Sequence, residues 1–349
     1  MARRGEAPGR FRSWVRRNLP ALSLLLLAPS IPELLTGSTP ISNLVFNPVG
    51  FAVGFPLDIA LYGSGALLIR EFAVVYRKGW ASILLLGAAY GIAEEGFEVH
   101  TFFQPSGTPV GALGSYGHLF GVNWLWALLL TLFHATYSIA LPILLVRLWF
   151  PEERDHRWLT PRTVTLLAVL FFGEVAGFGA FVVGHGPSPP VLLLFLAVVA
   201  TLATLAIWVP RDLLRTVPGP PRLGRTALVF LGAVEFAVYV IVLVMASTRA
   251  IPALASASLV LVANGGVLVV LLVRVGTQDL ERSEFRFAVG MLSALFAWDV
   301  LIEFILVPGI LGVTAIFVYL LYRLDRKLKA RTNLVKVPVG ASWAPPPDT

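Results

Sequence analysis

The sequence predicts an all-α integral membrane protein, a polytopic helical bundle of about ten transmembrane helices with N and C termini in the cytoplasm. The first observation behind this prediction is the composition. Hydrophobic residues make up 57% of the 349 residues and charged residues only 13%, whereas average soluble domains carry about 25% charged residues. The mean hydropathy is +0.80. The chain has no cysteine, which excludes disulfides, Cys-ligated metals and thiol nucleophiles.

The second observation is the length of the apolar runs. A helix needs about 20 mainly apolar residues to cross roughly 30 Å of hydrocarbon, and such runs recur along most of the chain. The last two runs are short for full crossings, and Pro308-Gly309 is the available turn between them. The predicted spans are 19–36, 48–70, 80–103, 122–149, 163–184, 190–209, 226–247, 251–273, 285–305 and 308–323.

The third observation is the placement of the basic residues. Of the 27 Lys and Arg residues, only Arg249 falls in a loop on the opposite side from the others. The positive-inside rule makes the basic side cytoplasmic, and an even number of spans keeps both basic chain ends there. We expect a basic N-terminal segment (1–18), a single transmembrane domain (19–323) and a basic, then Pro-rich, tail (324–349). The expected location is the cell membrane.

Carboxylates are distributed differently from the basic residues, because many of them fall inside the predicted spans. No Lys or Arg lies deep in any predicted span, so ion pairing within the membrane cannot neutralise them. Such groups must be protonated, solvated in a cavity, or paired with a metal ion, a sodium ion or transferable protons. The intramembrane acids are Asp58, Glu94, Glu95, Glu98, Glu174, Glu235, Asp299 and Glu303, and Glu33 lies near the end of the first span.

Residues 91–100 concentrate three of these acids in one apolar span. Glu94 and Glu98 are four residues apart and share a helix face, while Glu95 points about 100° away. Adjacent acids in a dry site lose their protons as a coupled pair, which suits a general base or a proton carrier. The alternative is that each Glu is protonated and bonded to a nearby backbone carbonyl.

His134 lies near the middle of the fourth predicted span, at a depth similar to that of Glu94 and Glu95. Thr136, Tyr137 and Ser138 follow it and are candidate hydrogen-bond partners. An imidazole at this depth is either a satisfied packing residue or part of a functional site with the acids.

Two pairs of glycines four residues apart predict close packing between helices. They are Gly87 with Gly91 in the third span and Gly173 with Gly177 in the fifth.

At Glu94-Glu95 and His134 the chain resembles the CPBP family of intramembrane proteases, which includes the type II CAAX prenyl endopeptidases. That family has a Glu-Glu-x3-Arg motif on one helix, a Phe-x3-His motif on a later helix and a further His-x3-Asn/Asp motif. The resemblance implies that Glu94 or Glu95 activates water and that His134 helps to hold the water, a metal or the oxyanion.

The resemblance covers about a third of the chain. His185 falls at roughly the spacing of the third motif, so the resemblance implies His134 and His185 as ligands of a divalent metal such as zinc. Val99 stands where the first motif has Arg, and Leu130 stands where the second has Phe.

Three functions remain open at this stage. The first is an intramembrane metal-dependent hydrolase or peptidase, with Glu94 or Glu95 as the base and His134 as a ligand. It would act on a membrane peptide or a lipidated protein. Three further acids are candidate binding residues: Asp58, Glu98 and Glu174.

The second function is a proton- or sodium-coupled transporter, which an excess of intramembrane carboxylates without intramembrane cations suits directly. The third is a non-catalytic membrane scaffold. The sequence contains no nucleotide-binding motif and no nucleic-acid module, so we expect membrane lipids and membrane peptides as partners.

Overall fold

Ten long helical segments run through the part of the chain that the structure, a computed structural model, describes. That part comprises residues 10–107, 109–181, 183, 186–214, 218–220 and 223–335. We number the segments α1 to α10 in chain order, and one of them coincides with each predicted span. Apolar runs therefore located the helices well.

The first four segments share an irregularity, because each contains a π-helical turn. Such a turn widens the helix locally and is frequently found at functional sites. α1 comprises Arg10–Pro29 and the π-turn Ser30–Leu34; α2 is Pro48–Val75 with the π-turn Ile59–Gly63; α3 comprises Trp80–Ile92 and the π-turn Ala93–Glu98; α4 is Trp124–Trp149 with the π-turn His134–Ala140.

The remaining six long helices have no π-turn among their described residues. They are α5 (Pro161–Phe181), α6 (Pro189–Trp208), α7 (Arg225–Thr248), α8 (Ala253–Arg274), α9 (Leu280–Glu303) and α10 (Ile310–Val335).

Seven of the described helices, α2 and α4 to α9, are long and apolar enough to cross a membrane. The other three fall short for reasons visible in their sequences. α1 is interrupted by prolines, α3 carries three acids in its last turns, and α10 ends in a basic stretch. The molecule is therefore a multi-pass helical membrane protein.

Several helix ends differ from the predicted spans; α1, for example, begins at Arg10 and not at residue 19. α3 was predicted to reach residue 103 but ends at Glu98, because His100 adopts a left-handed backbone with φ of 57°. α10 was predicted to end at residue 323 but continues to Val335, because its charged last turns remain helical.

The predicted close packing is confirmed for one glycine pair. A Cβ atom on Gly87 would lie 2.9 Å from the Cα of Ala135, and one on Gly91 would lie 2.8 Å from the Cβ of His134. Because Gly87 and Gly91 have no side chains, the backbone of α3 packs directly against the π-turn of α4. The prediction is wrong for Gly173 and Gly177, which face open space with no described atom within 4 Å of such a Cβ.

Short elements connect α3 to α4 on one side of the bundle. A 3-10 turn (Thr101–Phe103) follows α3, and a two-stranded antiparallel hairpin, β1 (His118–Leu119) and β2 (Val122–Asn123), precedes α4. Asn123 fastens them together, since its Nδ2 donates to the Thr101 carbonyl at 3.1 Å and to the Gln104 carbonyl at 2.5 Å.

The apolar core has two main clusters that meet at α4. One, around Tyr62 and Tyr90, is formed by α1 to α5. The other, around Tyr137, joins α1 and α4 to α7, α9 and α10. A buried polar cluster around His134 lies beside the first of these cores.

Candidate functional site

His134 occupies the centre of a buried polar cluster. It begins the π-turn of α4 and is 3% exposed. Its Nδ1 lies 2.9 Å from Ser138 Oγ and 3.2 Å from Glu94 Oε2, and its Nε2 lies 3.2 Å from Glu95 Oε1. Of the three candidate hydrogen-bond partners that follow His134 in the sequence, Ser138 is the one that contacts it. The imidazole sits between two carboxylates.

Two consecutive carboxylates reach one imidazole because of the π-turn in α3. Neighbouring residues on a regular α-helix point about 100° apart. In the widened turn, Glu94 and Glu95 are both buried and contact opposite sides of the His134 ring.

Glu95 is fixed from its other side by the segment that follows α3. Its Oε2 accepts a hydrogen bond from the Thr101 hydroxyl. Trp126 Nε1 in turn donates to the same hydroxyl oxygen at 2.9 Å. Because Asn123 holds the Thr101 backbone, the hairpin and the start of α4 together orient this carboxylate.

Glu94 is linked to α1 and α2 through a tyrosine. The Tyr62 hydroxyl contacts Glu94 Oε1 and lies 2.6 Å from Glu33 Oε1. A phenol has one proton to donate. Both hydrogen bonds therefore form together only if one of the two carboxyl groups carries a proton.

A second hydroxyl extends this chain to Asp58. Thr39 Oγ1 lies 2.8 Å from Glu33 Oε2 and 3.0 Å from Asp58 Oδ2. The Thr39 hydroxyl also has only one proton to donate. Both of its hydrogen bonds therefore form together only if Glu33 or Asp58 carries a proton. Asp58 is only half-buried, so the chain runs from the buried imidazole to a more exposed acid.

Glu98 and Glu174 lie outside this hydrogen-bonded chain. Glu98 is 4% exposed, and its Oε2 has no hydrogen-bond partner among the described residues. Glu174 is half-buried on α5, which packs against the π-turn of α3. The structure thus joins Asp58 to the cluster through hydroxyl groups. Neither Glu98 nor Glu174 is hydrogen-bonded to it.

No Lys or Arg pairs with these carboxylates in the part of the chain that the structure describes. The buried Arg70 of α2 lies two helical turns beyond Tyr62. It pairs with Glu71 at 3.1 Å and stacks on Trp158 with its guanidinium carbon 3.4 Å from the ring centre. The acids must therefore be balanced by His134, by protons or by a bound cation.

Three side chains can hold a metal ion. One ligand atom from each of Glu94, Glu95 and His134 lies within 4.8 Å of the other two. Ligand atoms about 2.0–2.2 Å from a tetrahedral metal lie roughly 3.3 Å apart, close to the 3.2 Å between His134 Nε2 and Glu95 Oε1. Glu94 Oε2 has no hydrogen-bond partner in the described residues. This buried oxygen accepts no hydrogen bond from a described residue, lies 3.2 Å from His134 Nδ1 and fits the requirement for a cation ligand.

His185, the other expected metal ligand, lies outside the described residues. The remaining acids of the predicted spans lie on α7 and α9. Asp299 Oδ2 accepts a hydrogen bond from Thr314 at 2.5 Å. Glu303 caps the start of α10 by accepting from the backbone N–H groups of Gly309 and Leu311 at 2.9 and 3.0 Å. Glu235 is buried, and its Oε2 has no hydrogen-bond partner within the described ranges.

Sequence reasoning flagged Glu33 as an acid near the end of the first span but missed Tyr62, Thr39 and Thr101. One weak signal was present, since Tyr62 follows Asp58 by four residues and shares its helix face.

The fold and this cluster define a class, that of multi-pass helical membrane proteins with a buried Glu/His site. More particularly, the chain belongs to an uncharacterized membrane protein family, whose model matches residues 22–335. No curated protein and no solved structure matches the chain.

The resemblance to the CPBP proteases was wrong. The family model that covers residues 22–335 is a different one, and the CPBP family gave no match. A Glu-Glu pair and one His form a short pattern, and Val99 and Leu130 already departed from it.

Proposed function

We propose that this protein is a membrane-embedded metal-dependent hydrolase that cleaves a membrane peptide or a lipidated protein. The observation that carries the proposal is the placement of one ligand atom from each of Glu94, Glu95 and His134 within 4.8 Å of the others. Carboxylate and imidazole ligands suit zinc and other divalent transition metals. A metal held by only three protein groups keeps a position open for water.

The two carboxylates differ in their partners, which assigns them different roles. Glu95 is held by Thr101 and faces His134 Nε2, so these two side chains serve as fixed ligands. Glu94 is the third ligand through Oε2, and its Oε1, which contacts the Tyr62 hydroxyl, accepts the proton of the attacking water. The bound ion supplies positive charge and polarised water. Glu94 then returns the proton to the leaving amine.

The proposal includes the topology: ten spans, both termini in the cytoplasm and residence in the cell membrane. The parts are a basic segment (1–18), a transmembrane domain (19–323) and a tail (324–349). The match between ten helices and ten apolar runs supports it, as does the one-sided placement of Lys and Arg.

The test compares wild-type protein with Glu95→Gln after purification in detergent. Both are loaded with Zn²⁺, and the bound metal and the cleavage of membrane-peptide substrates are measured. We expect about one tightly bound ion per wild-type chain and its loss in the variant. Glu235→Gln is the matched control, because it also removes a buried carboxylate charge. A folded wild-type protein that retains no metal would sink the proposal.

A second candidate is a proton-coupled transporter, which the hydrogen-bonded chain favours. The chain runs from Asp58 through Thr39, Glu33 and Tyr62 to Glu94 beside His134. Alternating carboxyl and hydroxyl groups can pass a proton along such a chain.

Proteoliposomes carrying a pH-sensitive dye inside distinguish this candidate from the hydrolase. Transport predicts proton flux that Asp58→Asn slows, with no peptide cleavage. Cleavage without flux supports the hydrolase instead, and the absence of both leaves a scaffold.

A further inference from the structure

A cavity lies apart from the His134 cluster, between α1, α4 and α10. Its volume is about 400 Å³, and its walls are almost entirely apolar. Each of the three helices contributes to the lining, for example through Leu26 of α1, Trp149 of α4 and Leu320 of α10. Leu26 is 51% exposed and Leu320 is 38% exposed, so the cavity opens on the outer face of the helices. In a membrane, that face meets lipid chains.

Two cations lie directly beside this cavity. Lys327 Nζ donates to the carbonyl of Trp149 at 2.6 Å, and Arg331 donates to the carbonyl of Leu148 at 3.0 Å. The Lys327 ammonium also lies 5.5 Å from the ring centre of Phe150, which lines the cavity. The cations are therefore joined to the cavity wall through the end of α4.

Glu152 attracts Lys327 at longer range, but no acid among the described residues lies within ion-pair distance of either cation. Their hydrogen-bond acceptors are neutral carbonyls, and neither side chain forms an ion pair within the described residues. Lys329 differs from them, because it pairs with Asp325 one turn earlier. The apolar cavity thus ends at two positive charges that form no ion pair in the described residues, and the complementary ligand has an apolar chain attached to an anionic head.

We propose that the cavity between α1, α4 and α10 binds an anionic phospholipid, with one acyl chain in the cavity and the phosphate beside Lys327 and Arg331. The lipid belongs to the leaflet on the basic side of the membrane, which the positive-inside rule makes cytoplasmic. Basic pockets between transmembrane helices are suited to such head groups. This site is independent of the proposed metal centre, so either can fail without the other.

The experiment measures binding to the full chain in detergent, using phosphatidylglycerol and phosphatidylcholine with identical acyl chains. Thermal unfolding is followed as each lipid is added. We expect wild type to be stabilised by phosphatidylglycerol at concentrations about tenfold below those needed for phosphatidylcholine. Equal effects of the two lipids would overturn the proposal, because the charges would then play no part.

Four variants locate the site. Lys327→Ala with Arg331→Ala should weaken phosphatidylglycerol binding about tenfold to thirtyfold, while Lys329→Ala, the matched charge control, should leave it unchanged. Leu320→Trp fills the cavity without changing charge and should weaken binding of both lipids. Val318→Trp, on the same helix but outside the cavity lining, is its control.

If Lys329→Ala weakens phosphatidylglycerol binding as much as the double variant does, the lipid responds to the overall surface charge, and the proposed site is overturned. Unchanged binding in Leu320→Trp would show that no chain enters the cavity. Because Leu320→Trp keeps both cations, it remains informative if the double variant unfolds.

Discussion

The two halves of the bundle both bury carboxylates, but they treat them differently. In α1 to α4, Glu33, Glu94 and Glu95 are tied through Tyr62 and His134 into one connected cluster. In α7 to α10, Glu235 and Asp299 lie separately: Asp299 Oδ2 accepts a hydrogen bond from Thr314, while its Oδ1 has no hydrogen-bond partner among the described residues.

The backbone accounts for this difference. Each of α1 to α4 contains a π-turn, and these turns carry Glu33, Tyr62, Glu94, Glu95 and His134. The described residues of α7 to α10 contain none. Burying an acid in a membrane helix is therefore not enough to make a site. The helices must also be distorted so that side chains from four of them converge.

Removal of the His134 imidazole should have the largest effect on the connected cluster of α1 to α4. In His134→Ala the two carboxylates lose their shared partner, so we expect Zn²⁺ affinity to fall by roughly 1,000-fold, beyond the 10–100-fold cost of losing an outer partner. Equilibrium dialysis with a competing chelator measures the change. Ser138→Ala, which removes only the hydroxyl behind the ring, should stay within 10–100-fold. Equal losses in the two variants would contradict the assignment of His134 as a ligand.

Tyr62→Phe breaks the cluster between helices while leaving the proposed metal ligands in place. Glu33 and Glu94 lose their common hydroxyl, so we expect turnover to fall about 10–100-fold with metal content retained. Steady-state cleavage and metal analysis on the same sample check this outcome. Tyr239→Phe is the control, since that phenol lies in the α4–α7 core away from the acids of α3. A loss of metal in Tyr62→Phe would mean that the tyrosine positions the ligands instead.

Gly91→Val probes the close approach that the site requires. Its Cβ would lie 2.8 Å from that of His134, so overpacking should destabilise the protein by about 1–3 kcal/mol. Gly173→Val faces open space and should change the free energy of unfolding far less. Thermal unfolding in detergent gives both values. Similar destabilisation of the two variants would mean that contact with His134 is not the cause.

Thr314→Val gives the smallest expected effect and concerns the other half. It removes the hydrogen bond to the fully buried Asp299, which should cost about 1–2 kcal/mol of stability. Metal content and turnover should not change. A loss of metal in this variant would show that the acids of α7 to α10 are coupled to the cluster in α1 to α4.

The sequence sufficed to place the helices because apolar runs and basic loops follow from the membrane itself. It also identified Glu94, Glu95 and His134 as neighbours in depth, and Gly87 with Gly91 as a packing surface. It did not reveal the connection to Glu33, because the contacts through Tyr62 join residues 29 and 32 positions apart.

The wrong expectations have a common physical origin. The Gly173 and Gly177 pair resembles a packing motif, yet a spacing alone does not say which helix faces it. Hydropathy is equally insensitive to a π-turn, which changes the direction of side chains without changing composition. The CPBP resemblance rested on residue identities, and these carry no information about the helix geometry around them.

The π-turns also make this cluster vulnerable to a very small genetic change. Deleting three bases that encode one residue of the π-turn in α4, such as Ile139, would restore a regular helix. Because a π-turn accommodates an extra residue, the helix on either side of the deletion would keep its packing, and the side chains inside the turn would be re-aimed. Every site residue would still be present in such a gene product, but His134 would no longer lie between Glu94 and Glu95.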